Sequence, residues 1–346
     1  MSDQETVLVT GASGFIALHC ILQLLQSGYK VRGTIRSPSR EAEVRSTMSE
    51  HLDTEAGLTF FVADLNSDTG WDEAVTGCDY VLHVASPFPE KPPNHENDLI
   101  EPARNGALRV LRASAKAGVK RVVLTSSMAA MIYGHSQTGK EDFDENDWTD
   151  VDAAGVSAYA RSKTLAEKAA WEFMQSADAG DMELSVINPG LVFGPVLNSH
   201  VGTSAGMVKR ILRRELPACP DVGLPLVDVR DVAGAHIAAM TNSAAAGQRH
   251  CCVSDTIWMI DAAQILDRAY ADKGYKVPTG KLANWVFRLV AVFDSSLKEA
   301  VPMLGKTIRV DSKKARNQLN WQPRGAEEMI VALADSLIKQ GVVQPK

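Results

Sequence analysis

The sequence predicts an α/β protein built around a doubly wound parallel β-sheet. Seven short apolar runs, rich in β-branched residues, recur along the first 253 residues, at 6–10, 30–35, 58–63, 80–85, 121–126, 184–188 and 249–253. Amphipathic stretches with helical spacing lie between them. Near-continuous apolar strands that alternate with helices are typical of a parallel sheet covered on both faces. Right-handed crossover connections leave few topologies for such a chain.

The first strand leads into a glycine-rich turn, Thr10-Gly11-Ala12-Ser13-Gly14-Phe15-Ile16-Ala17, and the following helix runs to Ser27. Gly11 permits the tight turn, Gly14 lets the backbone approach a pyrophosphate, and Ala17 lets the helix pack closely on the strand. The amide groups that open the helix would face the anion. A well-formed turn without a ligand is the alternative, but its place in the first βα unit favours function. This Rossmann-type turn predicts a dinucleotide site at Gly11, Ser13, Gly14, Phe15 and Ile16.

The second strand carries no acidic residue where NAD-binding sites usually hold the ribose 2′-hydroxyl. It runs Val31-Arg32-Gly33-Thr34-Ile35-Arg36, and Arg40 follows shortly after. We expect the Arg36 guanidinium to bind a 2′-phosphate, which favours NADPH over NADH. Arg32 and Arg40 are interpreted as solvated surface residues.

Two further strand ends point to the same cofactor. Asp64 and Leu65 close the third strand and can line an adenine site, although Asp64 can equally cap the helix that follows. A Pro-rich loop, residues 86–93, follows the fourth strand at the edge where ligands bind in open α/β sheets. We therefore expect Val84, Ala85 and Ser86 to contact the cofactor.

Tyr159 and Lys163 lie at the start of a later helix, four residues apart, so that the phenol and the ammonium share one face. A nearby cation stabilises a phenolate and lowers the tyrosine pKa from its ordinary value of about 10. A tyrosine and a lysine at this spacing occur often by chance. The pair is therefore evidence for a catalytic site only because of its position in the chain. We predict that Tyr159 exchanges a proton with a substrate and that Lys163 supports it.

Polar residues also end the fifth and sixth strands. Ser126 and Ser127 end the fifth, where a hydroxyl can bind a carbonyl oxygen and the oxyanion that develops from it. Adjacent serines can instead cap a turn. Asn188-Pro189-Gly190 ends the sixth strand and predicts that Pro189 shapes a nicotinamide pocket, although Pro-Gly also marks ordinary turns.

After Pro189 the alternation of strands and helices changes. A loop-rich section runs to Pro225, and mixed helical segments follow Asp261. We predict a dinucleotide-binding domain at residues 1–194 with returns near 226–255, and a smaller interleaved substrate-binding region at 195–225 and 256–346. Apolar residues near strand ends are more often core than pocket wall, and the candidates for the wall are Phe88, Met131, Tyr133, Phe193 and residues 197–224.

Composition and charge exclude several classes of protein. The 346 residues are 45% hydrophobic and 23% charged, enough for one large or two modest domains. A net charge of −6 with scattered Lys and Arg argues against a nucleic-acid partner. Five cysteines without CxxC spacing argue against a disulfide framework or a metal site. The apolar run 285–293 is short and interrupted by Arg288, so we expect a cytoplasmic protein that does not span a membrane. It is expected to be a monomer or a homodimer.

The motifs occur together and in order: the glycine turn, Arg36, residues 83–87 (HVASP), residues 124–127 (LTSS), the YxxxK pair and residues 188–195 (NPGLVFGP). From Val7 to about Arg249 the chain resembles the extended short-chain dehydrogenase/reductases. Within them it is most similar to dihydroflavonol reductase-like enzymes and the yeast methylglyoxal reductase type. Two positions depart from the family pattern. Ala17 replaces the commoner third glycine, and Met128 stands where sugar epimerases usually have alanine.

The resemblance implies a role for each matching residue. Ser127 would orient the substrate carbonyl and Tyr159 would donate the proton. Lys163 would lower the tyrosine pKa and hold the nicotinamide ribose. Asn105 resembles the helix asparagine that supports the lysine through water.

The favoured function is NADPH-dependent transfer of a hydride to the carbonyl of an aldehyde or ketone. Two alternatives stay open. One is an NAD-dependent sugar-nucleotide epimerase or dehydratase of the same fold, which usually retains NAD through an acidic residue after the second strand. The other is a dinucleotide-sensing protein without turnover, which would have no need for Ser127, Tyr159 and Lys163.

Overall fold

A computed structural model describes residues 4–52, 56–87, 95–135, 139–199, 202–293, 301 and 303–345. Phe88 and residues 88–93 of the Pro-rich loop lie outside these ranges. The strands within them, in chain order, are β1 (Thr6–Val9), β2 (Lys30–Ile35), β3 (Leu58–Val62), β4 (Tyr80–His83), β5 (Arg121–Thr125), β6 (Asp142–Phe143), β7 (Glu183–Pro189), β8 (Leu191–Phe193), β9 (Cys219–Pro220), β10 (Gly223–Asp228), β11 (Gln248–Cys252), β12 (Asp255–Trp258), β13 (Lys281–Leu282) and β14 (Arg309–Val310).

The helices connect these strands and cover the sheet. In chain order the described residues form α1 (Phe15–Gln26), α2 (Ser39–Ser49), α3 (Trp71–Val75), α4 (Asn97–Lys116), α5 (Ala158–Met174), α6 (Thr203–Leu212), α7 (Val229–Thr241), α8 (Met259–Tyr270), α9 (Asn284–Phe293), α10 (Lys313–Gln318) and α11 (Ala326–Lys339). Helix α1 packs against α7, and α4 packs against α5.

Seven strands form one parallel sheet in the order β11-β7-β5-β4-β1-β2-β3. Strand β1 lies at the point where the order reverses, with Val7 opposite Val31 of β2 and Tyr80 of β4. The carboxyl ends of β1 and β4 therefore meet at the crevice where ligands bind in such sheets. All seven predicted runs coincide with these strands, and the predicted doubly wound parallel sheet is confirmed.

The two faces of this sheet carry separate apolar cores. Val7 and Val9 of β1 point to the face covered by α1 and α7. Leu8 points to the opposite face, where α3, α4 and α5 contribute the core. All three side chains are fully buried. This alternation on a strand buried on both sides explains why its sequence is continuously apolar.

A further core lies in the carboxyl-terminal half of the chain. Strand β10 pairs in parallel with β8 and antiparallel with β12, and these three strands form a separate small sheet. Helices α6, α8 and α11 pack around it. The core lies in the part of the chain for which the sequence predicts a smaller substrate-binding region, and that role stays a prediction.

Local interactions determine where the elements near the crevice begin and end. Strand β5 ends at Thr125, so Ser126 and Ser127 lie just beyond it. Ser157 caps helix α5, because its Oγ accepts a hydrogen bond from the Ala160 amide at 3.2 Å. Tyr159 is therefore in the first turn of α5, and Lys163 follows one turn later.

The structure also bears on membranes, metals and thiols. In the described ranges, no helix combines the length and the apolar character that crossing a bilayer requires. Within the same ranges, no three His, Cys, Asp or Glu side chains are grouped so that they could hold a metal ion. All five cysteines are described, buried and free, and burial raises the pKa of Cys78 to about 11. These thiols are therefore poor nucleophiles at neutral pH.

Candidate active site

The glycine-rich turn between β1 and α1 is shaped by close backbone contacts. Gly11 has a φ of +67°, in the left-handed region that favours glycine. A Cβ atom at this position would lie 3.0 Å from the Cβ of Ala85. The Gly11 amide donates a hydrogen bond to Thr34 Oγ1 at 2.9 Å. The turn is held against β2 and the segment after β4, and position 11 has no room for a side chain.

Helix α1 begins without a capping side chain. Gly14 is its N-cap residue, and the Gly14 amide donates to the Gly11 carbonyl oxygen at 2.8 Å. The first turn of α1 carries no acidic residue, so no side chain of that turn offsets the partial positive charge of the helix N-terminus. Ser13, Phe15 and Ile16 are half-buried around it, and Gly14 is exposed. A tight, uncapped turn of this kind fits a pyrophosphate.

The segment after β4 is tied to this turn by a residue that sequence reasoning missed. Thr10 Oγ1 accepts a hydrogen bond from the Ala85 amide at 2.9 Å and lies 2.8 Å from His83 Nδ1. Burial lowers the pKa of His83 to about 3, so its imidazole is neutral. Val84 and Ser86 are half-buried beside Ala85. The three residues predicted to contact the cofactor therefore lie next to the glycine turn.

Gly33, in the middle of β2, was also missed. A Cβ atom at this position would lie 2.8 Å from the Cβ of Ala12 and 3.0 Å from ring carbons of Phe60. The turn thus passes directly over β2. The available signal was a glycine inside an otherwise β-favouring strand, which often marks close approach of another backbone.

The three arginines near the end of β2 have different surroundings. Arg32 donates to the Thr76 carbonyl oxygen at 2.6 Å, and Arg40 forms an ion pair with Glu43 at 2.9 Å. Arg36, directly after β2, is exposed and has no hydrogen bond or ion pair among the residues that the structure describes. Its guanidinium is available to an anion at this corner of the crevice.

Asp64 and Leu65 follow β3 at the same edge. Asp64 Oδ1 accepts a hydrogen bond from the Asn66 amide at 2.8 Å, which closes a turn. Helix α3 begins only at Trp71, so Asp64 does not cap it, contrary to the alternative considered from the sequence. The Leu65 side chain packs against α4, where a Cβ atom on Gly106 would lie 2.9 Å from Leu65 Cβ. Both residues are half-buried and stay candidates for the adenine site.

Ser127 and Tyr159 both lie next to a small apolar cluster that contains Ala129. Ser127 is 8% exposed, and its Oγ accepts a hydrogen bond from the Ala129 amide at 3.1 Å. The hydroxyl proton is not used in that bond, so Ser127 can still donate to a substrate. Tyr159 is half-buried and packs in a cluster with Ala129 and Val156. The loop after β5 and the first turn of α5 are thereby brought together.

The Lys163 side chain extends from α5 towards the end of β5. It is 8% exposed, and its Nζ donates to the Thr125 carbonyl oxygen at 3.4 Å. Burial lowers the pKa of Lys163 to about 8, while the nearby Glu167 carboxylate opposes this shift. The ammonium group is still mostly protonated at pH 7. Sequence reasoning missed Glu167, although it continues the four-residue spacing of Tyr159 and Lys163.

Asn105 and Pro189 complete the predicted set. Asn105 is half-buried on α4, which packs along α5. Its side chain has no hydrogen bond to any described residue, so its link to the lysine stays a prediction. Pro189 is the buried last residue of β7. A Cβ atom on the following Gly190 would lie 2.5 Å from the Pro225 carbonyl oxygen, and the small sheet therefore packs tightly against this strand end.

Two of the candidates for the pocket wall, Met131 and Phe193, are core residues. Met131 is fully buried in a cluster with Met128 and Phe143, and Phe193 is 1% exposed in the carboxyl-terminal core. Their side chains do not face an open pocket. Tyr133 is half-buried and packs beside the Tyr159 cluster.

Cavity size alone does not identify the site. A cavity of about 210 Å³ adjoins the glycine turn at Ser13 and Phe15 and extends to Asn198. A larger groove of about 1030 Å³ lies between α1, α7 and α11. Ser127, Tyr159 and Lys163 do not line that groove, so the chemistry of the residues locates the candidate site.

Comparison with known proteins identifies a family and several relatives of this chain. A family model described as the NAD dependent epimerase/dehydratase family matches residues 7–253. A cinnamoyl-CoA reductase from Medicago truncatula is 39% identical over 274 residues, covering 77% of this chain and 81% of that protein. An anthocyanidin reductase from Vitis vinifera is 34% identical, covering 80% and 83%. The crystal structure of yeast methylglyoxal/isovaleraldehyde reductase Gre2 complexed with NADPH has a TM-score of 0.80 at 29% identity and covers 98% of this chain and 100% of its own.

Proposed function

The chain belongs to the NAD dependent epimerase/dehydratase family, and we propose that within it this protein is an NADPH-dependent reductase of aldehydes or ketones. Membership confirms the resemblance to the extended short-chain dehydrogenase/reductases. The observation that carries the proposal is the buried ammonium of Lys163, one helical turn after Tyr159 and 3.4 Å from the Thr125 carbonyl oxygen. Relatives named as reductases support the same class of reaction.

Tyr159 is the proton donor in this proposal. A phenol with an ordinary pKa of about 10 is a sluggish acid and base near neutrality. The Lys163 cation favours the phenolate and so lowers the tyrosine pKa towards the working pH. As the carbonyl is reduced, the phenol O–H bond breaks and the proton passes to the substrate oxygen, giving an alcohol. NADPH, when bound, supplies the hydride that adds to the carbonyl carbon.

Ser127 orients the carbonyl. Its hydroxyl proton is available for a bond to the substrate oxygen, and that bond strengthens as negative charge develops there. Because the Ala129 amide donates to Ser127 Oγ, the hydroxyl is held in place before substrate arrives. The residues proposed as catalytic are therefore Ser127, Tyr159 and Lys163, with Asn105 as a supporting residue.

The residues proposed to hold the cofactor line the crevice above β1, β2, β3 and β4. The turn would hold the pyrophosphate and Arg36 the 2′-phosphate, while Lys163 would hold the nicotinamide ribose. The full set comprises Gly11, Ser13, Gly14, Phe15, Ile16, Arg36, Asp64, Leu65, Val84, Ala85, Ser86, Tyr159, Lys163 and Pro189. An exposed Arg36 without an acidic neighbour on β2 favours NADPH.

The test of this function is a panel of aldehydes, diketones and ketoesters assayed with NADPH and NADH in parallel. We expect substrate-dependent oxidation of NADPH and slower oxidation of NADH. If no member of the panel supports NADPH oxidation, the proposal is wrong. Protein that is isolated with tightly bound NAD and prefers it would favour the epimerase or dehydratase alternative.

Arg36→Ala is expected to raise the KM for NADPH by about 10–100-fold, because hydrogen bonds to a charged group contribute about 1.5–3 kcal/mol. The KM for NADH should change little, since NADH has no 2′-phosphate. Steady-state kinetics with both cofactors measure this. Arg45→Ala is the matched control, because Arg45 is ion-paired with Glu41 at 2.9 Å on α2. An equal effect of Arg36→Ala on both cofactors would contradict the assignment.

A further inference from the structure

A buried carboxylate lies one turn beyond Lys163 on α5. Glu167 is 1% exposed. Its Oε2 accepts hydrogen bonds from Ser126 Oγ at 2.5 Å and Asn188 Nδ2 at 2.8 Å. Its Oε1 accepts from Arg249 Nε at 2.5 Å and from Trp171 Nε1 at 3.4 Å. One side chain therefore connects α5 with the carboxyl ends of β5 and β7 and with β11.

Arg249 carries the opposite charge of this buried pair. It is 7% exposed, and its Nη1 donates to the carbonyl oxygens of Glu145 and Asp147 at 2.7 and 2.8 Å. Its guanidinium carbon lies 3.8 Å from the ring centroid of Trp148. Arg249 thus joins Glu167 to the backbone of residues 145–148.

The loop that carries Ser127 is contacted by Asn188, which binds Glu167, and by Thr149, which follows the segment that Arg249 binds. Because a carboxylate only accepts hydrogen bonds, Asn188 must turn its Nδ2 towards Glu167, and the same Nδ2 donates to the Ser127 carbonyl oxygen at 3.3 Å. From the other side, Thr149 Oγ1 donates to the Ala129 carbonyl oxygen at 2.8 Å and accepts from the Tyr133 amide at 3.1 Å. The loop 127–133 is held between these two sets of contacts.

We propose that Glu167, paired with Arg249, is a positioning residue that fixes the Ser127 loop relative to the Tyr159 and Lys163 face of α5. The inference rests on the proposed reductase function. A buried ion pair usually stabilises a fold no better than apolar residues of similar volume, so stability alone does not account for this arrangement. Its geometry links the catalytic serine, tyrosine and lysine through one carboxylate.

Glu167 also affects the protonation of Lys163. Among the residues that the structure describes, Glu167 on the same helix and His83 on β4 interact electrostatically with this ammonium group, and the proposed mechanism adds the Tyr159 phenol. His83 is neutral at working pH because burial lowers its pKa to about 3. The Glu167 carboxylate favours the protonated form of Lys163. Removing the carboxylate charge should therefore let Lys163 lose its proton at lower pH.

Glu167→Gln is the decisive variant. We expect kcat for carbonyl reduction to fall by about 10–100-fold, in line with the effect of displacing catalytic groups by about 1 Å, while the KM for NADPH changes little. The alkaline limb of the pH–kcat profile should move to lower pH. Glu167→Asp keeps the charge but shortens the side chain, so it should lower kcat and leave the alkaline limb in place.

The matched control is Asp231→Asn, which removes a different ion pair on α7, the helix on the opposite face of the sheet from α5. Asp231 is 7% exposed, pairs with Arg324 and accepts from the Arg324 amide at 2.7 Å. This variant should lose stability without a change in kcat or in the pH profile. If Glu167→Gln behaves like Asp231→Asn, the carboxylate is only structural and the inference is overturned.

A second readout does not depend on activity. Hydrogen–deuterium exchange should become faster for amides of residues 127–133 in Glu167→Gln, and it should stay unchanged there in Asp231→Asn. Active wild-type protein together with unchanged kcat and exchange in Glu167→Gln would refute the positioning role and leave the reductase proposal intact. If the wild type reduces no carbonyl, the reductase proposal fails, and the exchange comparison still decides the positioning role. Should Glu167→Gln fail to fold, Ser126→Ala removes one donor to the carboxylate, and unchanged kcat and exchange in that variant would also refute it.

Discussion

Tyr159→Phe is expected to lower kcat for carbonyl reduction by about 10²–10⁴-fold, the usual contribution of a positioned general acid. Phenylalanine keeps the half-buried ring and its packing against Ala129 and Val156. It removes the one proton that the proposal assigns to the substrate oxygen. The fold and the affinity for NADPH should therefore be nearly unchanged. Steady-state kinetics and a fluorescence titration with NADPH measure the two effects separately.

The control for this variant is Tyr29→Phe. Tyr29 precedes β2 at the amino edge of the sheet, opposite the crevice, and its hydroxyl has no role in the proposed reaction. Its loss should leave kcat at the wild-type level. Full turnover by Tyr159→Phe would remove the tyrosine from the mechanism. Loss of NADPH binding in the same variant would show instead that the hydroxyl acts on the cofactor.

The fold could be predicted because the patterns that indicate it lie within short stretches of consecutive residues. A strand buried on both faces must be apolar at every position, and Val7, Leu8 and Val9 show this directly. The glycine turn is also local, since Gly11 and Gly14 are three residues apart and their backbone demands follow from one strand-to-helix connection. Right-handed crossovers then leave few possible strand orders.

The features of the candidate site that could not be predicted depend on contacts between residues far apart in the sequence. Glu167 and Arg249 are 82 residues apart, and nothing near either one predicts that the other side chain is its partner. The Thr10 contact with His83 spans 73 residues. Met131 and Phe193 were only candidates for a pocket wall, because apolar residues near strand ends are more often core than wall and the sequence does not decide between the two. Their burial is decided by packing, of Met131 against Met128 and Phe143 and of Phe193 in the carboxyl-terminal core.

The sequence predicts that Tyr159 and Lys163 share one helix, and both residues lie on α5. The sequence contains no information on how deeply the lysine side chain is buried. In the proposed mechanism burial strengthens the effect of Lys163, because an exposed lysine would supply a weaker, solvent-screened field at the phenol. Burial of the ammonium charge also lowers the stability of the fold. In the proposed mechanism Lys163 therefore promotes the reaction, while burial of its charge destabilises the fold.

Lys163→Met is accordingly expected to lower activity and raise stability. Methionine has a similar length and no charge, so it fills the same buried space between α5 and Thr125 while removing the cation that the proposed mechanism requires. We expect kcat to fall by about 10²–10⁴-fold, as for loss of the acid itself. The free energy of unfolding at pH 7 should rise by up to about 3 kcal/mol, because the folded pKa of about 8 lies well below the ordinary value of 10.5.

The pH dependence of stability identifies burial of the charge as the cause. Below the folded pKa of about 8, Lys163 is protonated in both states and the cost of burying its charge is fully present. Between pH 8 and the unfolded value of 10.5, the unfolded chain binds the proton more tightly than the folded one. Stability of the wild type should therefore rise with pH across this window relative to Lys163→Met.

Urea unfolding of both proteins at pH 7 and near the top of this window measures the difference. Lys168→Met is the control on the same helix, since Lys168 lies 5.4 Å from the Trp148 ring centroid and its removal costs at most about 1 kcal/mol. That variant should keep its activity and show no gain at pH 7. A loss of stability in Lys163→Met at pH 7 would mean that Glu167 more than offsets the desolvation of the ammonium. The lysine would then support the fold as well as the proton transfer.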